Sequence, residues 1–164
     1  MEVCQYCTPE WLEESDRRYK LKPELEEQLK KLSIKLCYRV KAEPAWGIDE
    51  DIIFSTFFVN GDLTEIKFLD EESALNEADY VLAATPQEWK RLLRKEGKFV
   101  TDFVVGKVTL EHGSKVGVLG VAPHSGAVID ALTQVELQFP DEMSADELEQ
   151  YRSKIKSFRK ELSV

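Results

Sequence analysis

At 164 residues the chain has the length of one ordinary domain, enough to bury roughly 70% of the surface its unfolded form exposes. Hydrophobic residues make up 43% and charged residues 32%, which excludes a disordered or fibrous chain. Asp and Glu number 31 against 22 Lys and Arg, a formal charge of −9, so a phosphate backbone would be repelled and nucleic acid is not an expected partner.

The longest apolar runs, such as 116–123, fall well short of the roughly 20 residues that a membrane span needs, and stable membrane insertion is not expected. The N-terminus has acidic and polar residues where a secretory leader has a basic start and an apolar stretch. Three cysteines cannot all pair, and Cys37 lies in an apolar-patterned stretch, which is how a reduced, cytoplasmic protein uses cysteine.

Thr8-Pro9-Glu10 offers an N-cap, a proline at the first helical position and an early acid, predicting a helix over 9–19. Pro23 starts a second helix, in which Leu25, Leu29 and Leu32 recur at helical spacing. From Ile34 the period becomes two: Ile34, Leu36, Tyr38 and Val40 alternate with Lys35, Cys37, Arg39 and Lys41, as in a half-buried strand. Residues 42–51 read as a loop and 52–59 as a strand. Asn60-Gly61-Asp62 then supplies a hairpin turn into a return strand over 63–69.

The acidic stretch 70–76 reads as a linker to a short strand over 80–84. Thr85-Pro86 caps a helix bearing Trp89, Leu92 and Leu93, and Gly97 stops it. The apolar residues of 99–105 fit both periods and are assigned to a helix; 107–111 alternates as a strand, and 123–136 reads as a helix with Ser125, Ile129, Leu132 and Val135 on one side. Strands joined by tight turns early and helices late predict an α+β domain with a largely antiparallel sheet, helices covering one face. After Pro140 a capping box, Ser144 to Glu147, precedes an apolar face of Leu148, Tyr151, Ile155, Phe158 and Leu162. The expected division is a domain over 1–140 and an appended amphipathic helix over 141–164, whose face docks on its own domain or builds a homodimer.

Few constellations carry chemistry. Cys4-Gln5-Tyr6-Cys7 has zinc or dithiol spacing, but no second pair follows and the motif lies away from any predicted strand-to-helix junction. A mobile tail with incidental thiols, and no metal or cofactor, is the expectation. His112 and His124 sit in predicted turns, and Ser125 lacks the strand-to-helix glycine setting that exposes a nucleophile. Gly117 and Gly120 lack a phosphate-loop pattern and read as positions of close approach.

The segments Ala78-Asp79-Tyr80-Val81-Leu82, the helix of Trp89, Leu92 and Leu93, and Gly106-Lys107-Val108-Thr109-Leu110-Glu111-His112-Gly113 resemble the type-two sterol carrier protein family. The likeness is clearest over 78–135 and extends weakly to residue 8. It implies a five-stranded sheet with helices on one face, an apolar tunnel between them, and no catalytic residue. The positions it implies as the lining are Trp89, Leu92, Leu93, Phe99, Phe103, Val118, Leu119, Ile129 and Leu132. Phe103, Gly117 and Gly120 depart from the family pattern and imply a narrowed, reshaped or closed tunnel, and His112 is an extra residue before the terminal glycine. The expected function is non-enzymatic carriage or sensing of a lipid-like small molecule; the alternative is a ligand-free interaction or dimerisation module.

Overall fold

The alternating segment becomes the central strand of the sheet. The computed structural model describes residues 2–164, and in it β2 (Ile34–Val40) pairs antiparallel with β3 (Ile52–Val59) on one side and parallel with β6 (Tyr80–Ala84) on the other. Outward from β3 lie β4 (Asp62–Glu65) and β5 (Phe68–Leu69), and outward from β6 lies β7 (Thr109–His112). The main sheet therefore has six strands and mixed pairing, where five mostly antiparallel strands were expected. The parallel β2–β6 pair arises because the chain crosses over through the segment that forms β3 to β5 and a helix before returning.

Both faces of this sheet are covered. On the front, Leu36, Tyr38, Val40, Phe54 and Leu82 join one large core with the helices α1 (Pro9–Lys20), α2 (Pro23–Leu29), α4 (Pro86–Leu93), α7 (Ser125–Leu132) and α8 (Ala145–Leu162). On the back, Cys37, Ile53, Phe57 and Val81 form a smaller core with Ala74 of α3 (Glu71–Glu77). The acidic stretch is thus a helix, not a linker: the Asp70 carboxylate accepts from the Ser73 N–H at 2.7 Å as its N-cap. Beside α3, Arg39 ties three elements together through Asp51, Glu71 and Glu111.

The N-terminus is a second correction. Residues Val3–Gln5 form β1, which pairs parallel with β8 (Glu136–Gln138) in a separate two-stranded sheet, so this segment is anchored and not a free tail. Strand β8 also takes the end of the expected helix over 123–136, which runs only from Ser125 to Leu132 after a 3-10 turn at Ala122–His124. The apolar stretch ahead of it is α6 (Lys115–Val121), capped by the Ser114 hydroxyl, and α5 is Phe99–Val104 as assigned.

At the hairpin tip Asn60 and Gly61 both take positive φ, 49° and 81°, the geometry of a tight β-turn. A Cβ on Gly61 would stand 2.7 Å from the Glu26 carbonyl and 2.8 Å from the Lys30 backbone, so glycine alone lets the hairpin rest on α2. Helix α8 packs its stripe on its own chain: Tyr151, Ile155 and Phe158 are buried, and the Tyr151 hydroxyl donates to the Tyr6 carbonyl. Three residues of the expected face are thus buried within one molecule, while Leu162 stays 49% exposed. Replacing Ile155 with Ala should lower unfolding stability by about 2–5 kcal/mol, seen as a lower urea midpoint at unchanged slope; a change within about 0.5 kcal/mol, as at a surface position, would contradict this packing.

Candidate functional site

An apolar cavity of about 70 Å³ lies between the front of the sheet and the helices. Its floor is Leu36 and Tyr38 of β2, Phe54 of β3 and Leu82 of β6; Trp89, Leu92 and Leu93 of α4 form one wall and Val128, Ile129 and Leu132 of α7 another. Phe99 of α5 and Val118 and Val121 of α6 close it. Apolar cavities of ~150 Å³ admit a benzene ring, so this space is smaller than one aromatic molecule and far smaller than an acyl chain. Between the sheet and the helices the structure shows this small apolar space, and the tunnel that the resemblance implies is not seen there.

The walls are held by specific bonds. Thr85 caps α4, its hydroxyl accepting from the Glu88 N–H, and the Trp89 indole N–H donates to the Arg39 carbonyl at 3.0 Å, which fixes α4 against the central strand. The Trp11 indole N–H donates to the Leu132 carbonyl at 2.9 Å and anchors the end of α7 to α1. Helix α6 approaches the sheet edge through Gly117, where a Cβ would collide with the Tyr80 hydroxyl. The close approach is to a side chain of β6, and it explains a glycine inside a helix.

Seven of the nine expected lining residues border the cavity: Trp89, Leu92, Leu93, Phe99, Val118, Ile129 and Leu132. Phe103 does not; it is buried behind Phe99, the two rings stacked with centroids 5.8 Å apart. Leu119 faces outward and is 44% exposed. The sheet floor, Tyr6, Val121, Ser125 and Val128 were missed, although the alternation of Leu36 and Tyr38 already marked them as facing a core.

Little in this lining can do acid–base chemistry. The Tyr38 hydroxyl is engaged with the Thr56 hydroxyl at 2.7 Å, and burial pushes its acidity out of the useful range. The Tyr6 phenol, also pushed up by burial and by the adjacent Cys7, has no hydrogen-bond partner. Neither phenol is a base near neutral pH. His112 ends β7, exposed to solvent, and His124 lies in the 3-10 turn before α7.

An open groove of about 480 Å³ lies outside the cavity, lined by Lys95, Lys98, Phe99, Val100, Ser125, Gly126, Ile129 and Asp130 among others. It shares Leu92, Phe99, Ser125 and Ile129 with the cavity. These four side chains border both the inner and the outer space.

Cys4 lies within β1 and Cys7 in the turn before α1, a strand-to-helix junction, which corrects their expected placement. Both are buried, and burial raises both thiols, Cys7 strongly; a redox dithiol needs the opposite shift. No group of three or more His, Cys, Asp or Glu with metal-binding geometry occurs among the described residues.

Solved structures of similar fold include three sterol-carrier-type proteins or candidates. A conserved hypothetical protein of Thermus thermophilus, suggested to be a sterol carrier protein, matches with a TM-score of 0.71 and 16% identity over 84% of this chain and 94% of that one. A crystal structure of sterol carrier protein 2 matches with 0.66 and 18% over 80% of this chain and 99% of that one, and apo sterol carrier protein 2 of Yarrowia lipolytica with 0.52 and 13% over 76% and 89%. No family model matches the sequence, and no curated protein matches it. The likenesses show that this chain has the sterol carrier protein 2 fold.

All three thiols should resist attack while the chain is folded. Burial pushes the Cys37 thiol up to about 12 and raises the other two, so each stays protonated at pH 8 until unfolding exposes it. With a disulfide reagent such as DTNB, the native protein should show no fast-reacting thiol, and guanidinium should release three; one thiol reacting in the native state at the rate of free cysteine would contradict the placement.

Proposed function

We propose that the chain binds an apolar, lipid-like molecule reversibly between its sheet and helices α4 to α7 and carries or senses it in the cytoplasm without covalent chemistry. The observation that supports this reading is an inner apolar cavity and an outer groove that share four lining side chains, Leu92, Phe99, Ser125 and Ile129. Swinging Phe99 aside merges the two spaces and admits a chain. The lipid-binding unit is 1–140, and α8 braces it from outside.

The energetics permit such an opening. Each methylene moved from water to an apolar site contributes about 0.8 kcal/mol, so a chain of about 15 methylenes gains about 12 kcal/mol gross. Association and ordering cost about 4–15 kcal/mol. In the lower half of that range the remainder is enough to displace one half-buried phenylalanine. An apolar wall sets no head-group preference, so fatty acids, acyl-coenzyme A, isoprenoids and sterol-like molecules all remain candidate cargoes.

The smallness of the closed cavity favours one rival: a filled core, with the fold serving as a ligand-free interaction module. Titration of a fluorescent fatty acid separates the two. The wild-type protein should bind one equivalent saturably, and Val118→Trp, which fills the cavity from α6, should remain folded and lose tenfold or more in affinity, about 1.4 kcal/mol. Absence of binding by the wild type to fatty-acid, acyl-coenzyme A and sterol probes, with no lipid adduct retained in native mass spectrometry, would favour the module.

A further inference from the structure

A fully buried hydroxyl beside the cavity is left unbonded by the fold. Tyr6, the residue after β1, borders the cavity, and its ring is buried beside Trp11 and Phe139, with centroids 5.2 and 4.9 Å away. Its backbone is held on both sides: the N–H donates to the Gln138 carbonyl at 3.0 Å, and the carbonyl accepts from the Tyr151 hydroxyl. The phenol oxygen, in contrast, has no hydrogen-bond partner among the described residues. The group beside it is the Cys7 thiol, a weak partner. Ring packing gives no reason for a tyrosine here, since phenylalanine would fill the same space without burying an unpaired hydroxyl.

Other polar groups around the cavity are engaged. The Tyr38 hydroxyl is bonded to that of Thr56, and the Trp11 and Trp89 indoles donate to backbone carbonyls. Ser125 is half-buried and also borders the open groove. Among the described residues no charged side chain lines the cavity. Tyr6 also stands at the end away from the groove. Its neighbour Trp11 is bonded to the carbonyl of Leu132, the last residue of α7, whereas the groove reaches Ser125, the first, about 10 Å away along the helix.

We infer that Tyr6 donates a hydrogen bond to a neutral oxygen, a hydroxyl or carbonyl, at the inner end of an otherwise apolar cargo. An apolar space without a cation rejects a carboxylate or phosphate, whose unpaired burial costs far more than that of a hydroxyl. An acidic end therefore stays at the groove, beside the exposed Lys98. A plain hydrocarbon end leaves the phenol unbonded, and an oxygenated end satisfies both partners at once. Because β8 and α8 fix the backbone of Tyr6, the donor is in place before the cargo arrives. The cargo class is thus an oxygenated lipid, bound with its oxygen inward. This assignment rests on the lipid-binding reading and adds a selectivity that an apolar wall does not set.

Displacement of a fluorescent fatty acid tests it, with plain hexadecanoic acid and hexadecanoic acids hydroxylated at successive carbons from the methyl end as competitors. Tyr6→Phe should keep the wild-type melting temperature or raise it, because the hydroxyl it removes makes no bond. It should bind the plain acid as tightly as the wild type does and lose about tenfold in affinity for the hydroxy acid that the wild type binds best. A role in packing alone would change both affinities by the same factor. An unchanged ratio of hydroxylated to plain affinity at every hydroxyl position would overturn the inference, as would a lowered melting temperature, which would give the hydroxyl a structural bond. Wild type that rejects every hydroxylated acid by tenfold or more relative to the plain one would overturn it without any variant. Failure of the wild type to bind plain and hydroxylated acids alike contradicts the carrier reading; binding of the plain acid with a ratio independent of the phenol contradicts the role of Tyr6 alone.

Discussion

The structure depends on one chain of aromatic contacts across the front of the sheet. Phe54 of β3 stacks on Tyr38 of β2 with centroids 4.8 Å apart, meets Trp11 of α1 at 5.3 Å and reaches Phe68 of β5 at 6.4 Å. Tyr38 then holds Trp89 of α4 at 5.7 Å, and Phe68 holds Phe158 of α8 at 4.9 Å. Elements from both ends of the chain thus meet on two central strands. Such ring pairs contribute about 0.5–1.5 kcal/mol each beyond their buried area, and here they also set where the helices sit. The cavity exists because these large rings are rigid and the side chains above them are not long enough to fill the last space.

What covers the cavity is asymmetric. On the side of α1, α4 and α7, indole hydrogen bonds from Trp11 and Trp89 to buried carbonyls fix the wall to the scaffold. On the side of α5 and α6, helices of six and seven residues contribute a half-buried Phe99, a buried Val118 and little else. Helices this short gain nothing by themselves and persist only through packing. A ligand that displaces one side of the wall would displace the weaker one. Stability and access are thus divided between different elements.

Much of this was legible along the chain where a periodic apolar face meets a capping residue. The strand of Leu36 and Tyr38, the Asn60-Gly61 turn, the helix of Trp89 and the capped helix of Tyr151 all announce themselves locally. Other parts did not. Helix α3 buries only Ala74, so it has no apolar stripe to read, although Asp70 followed by two glutamates was an available start signal. Strands β1 and β8 have three residues each and stand more than 130 positions apart, and their pairing has no local trace. Helix α6 contains two glycines and three β-branched valines, a poor helical composition; only the approach of Gly117 to Tyr80 in three dimensions accounts for it. In the site, the positions implied by the resemblance lie on the helical walls and leave out the sheet floor. Phe103 and Leu119 lie off the cavity, because the rotation of so short a helix about its axis is fixed by its neighbours.

In the proposed reading a ligand enters by displacing the thin cover of α5 and α6 above the sheet, and hydrogen exchange followed by mass spectrometry with and without a saturating fatty acid measures this directly. Amides of 98–121 should exchange fastest in the free protein and change most on addition of the fatty acid, while β2, β3 and β6 stay slow in both conditions. Equal protection of cover and sheet in the free protein, or changes centred on the strands while α5 and α6 stay as they were, would contradict it.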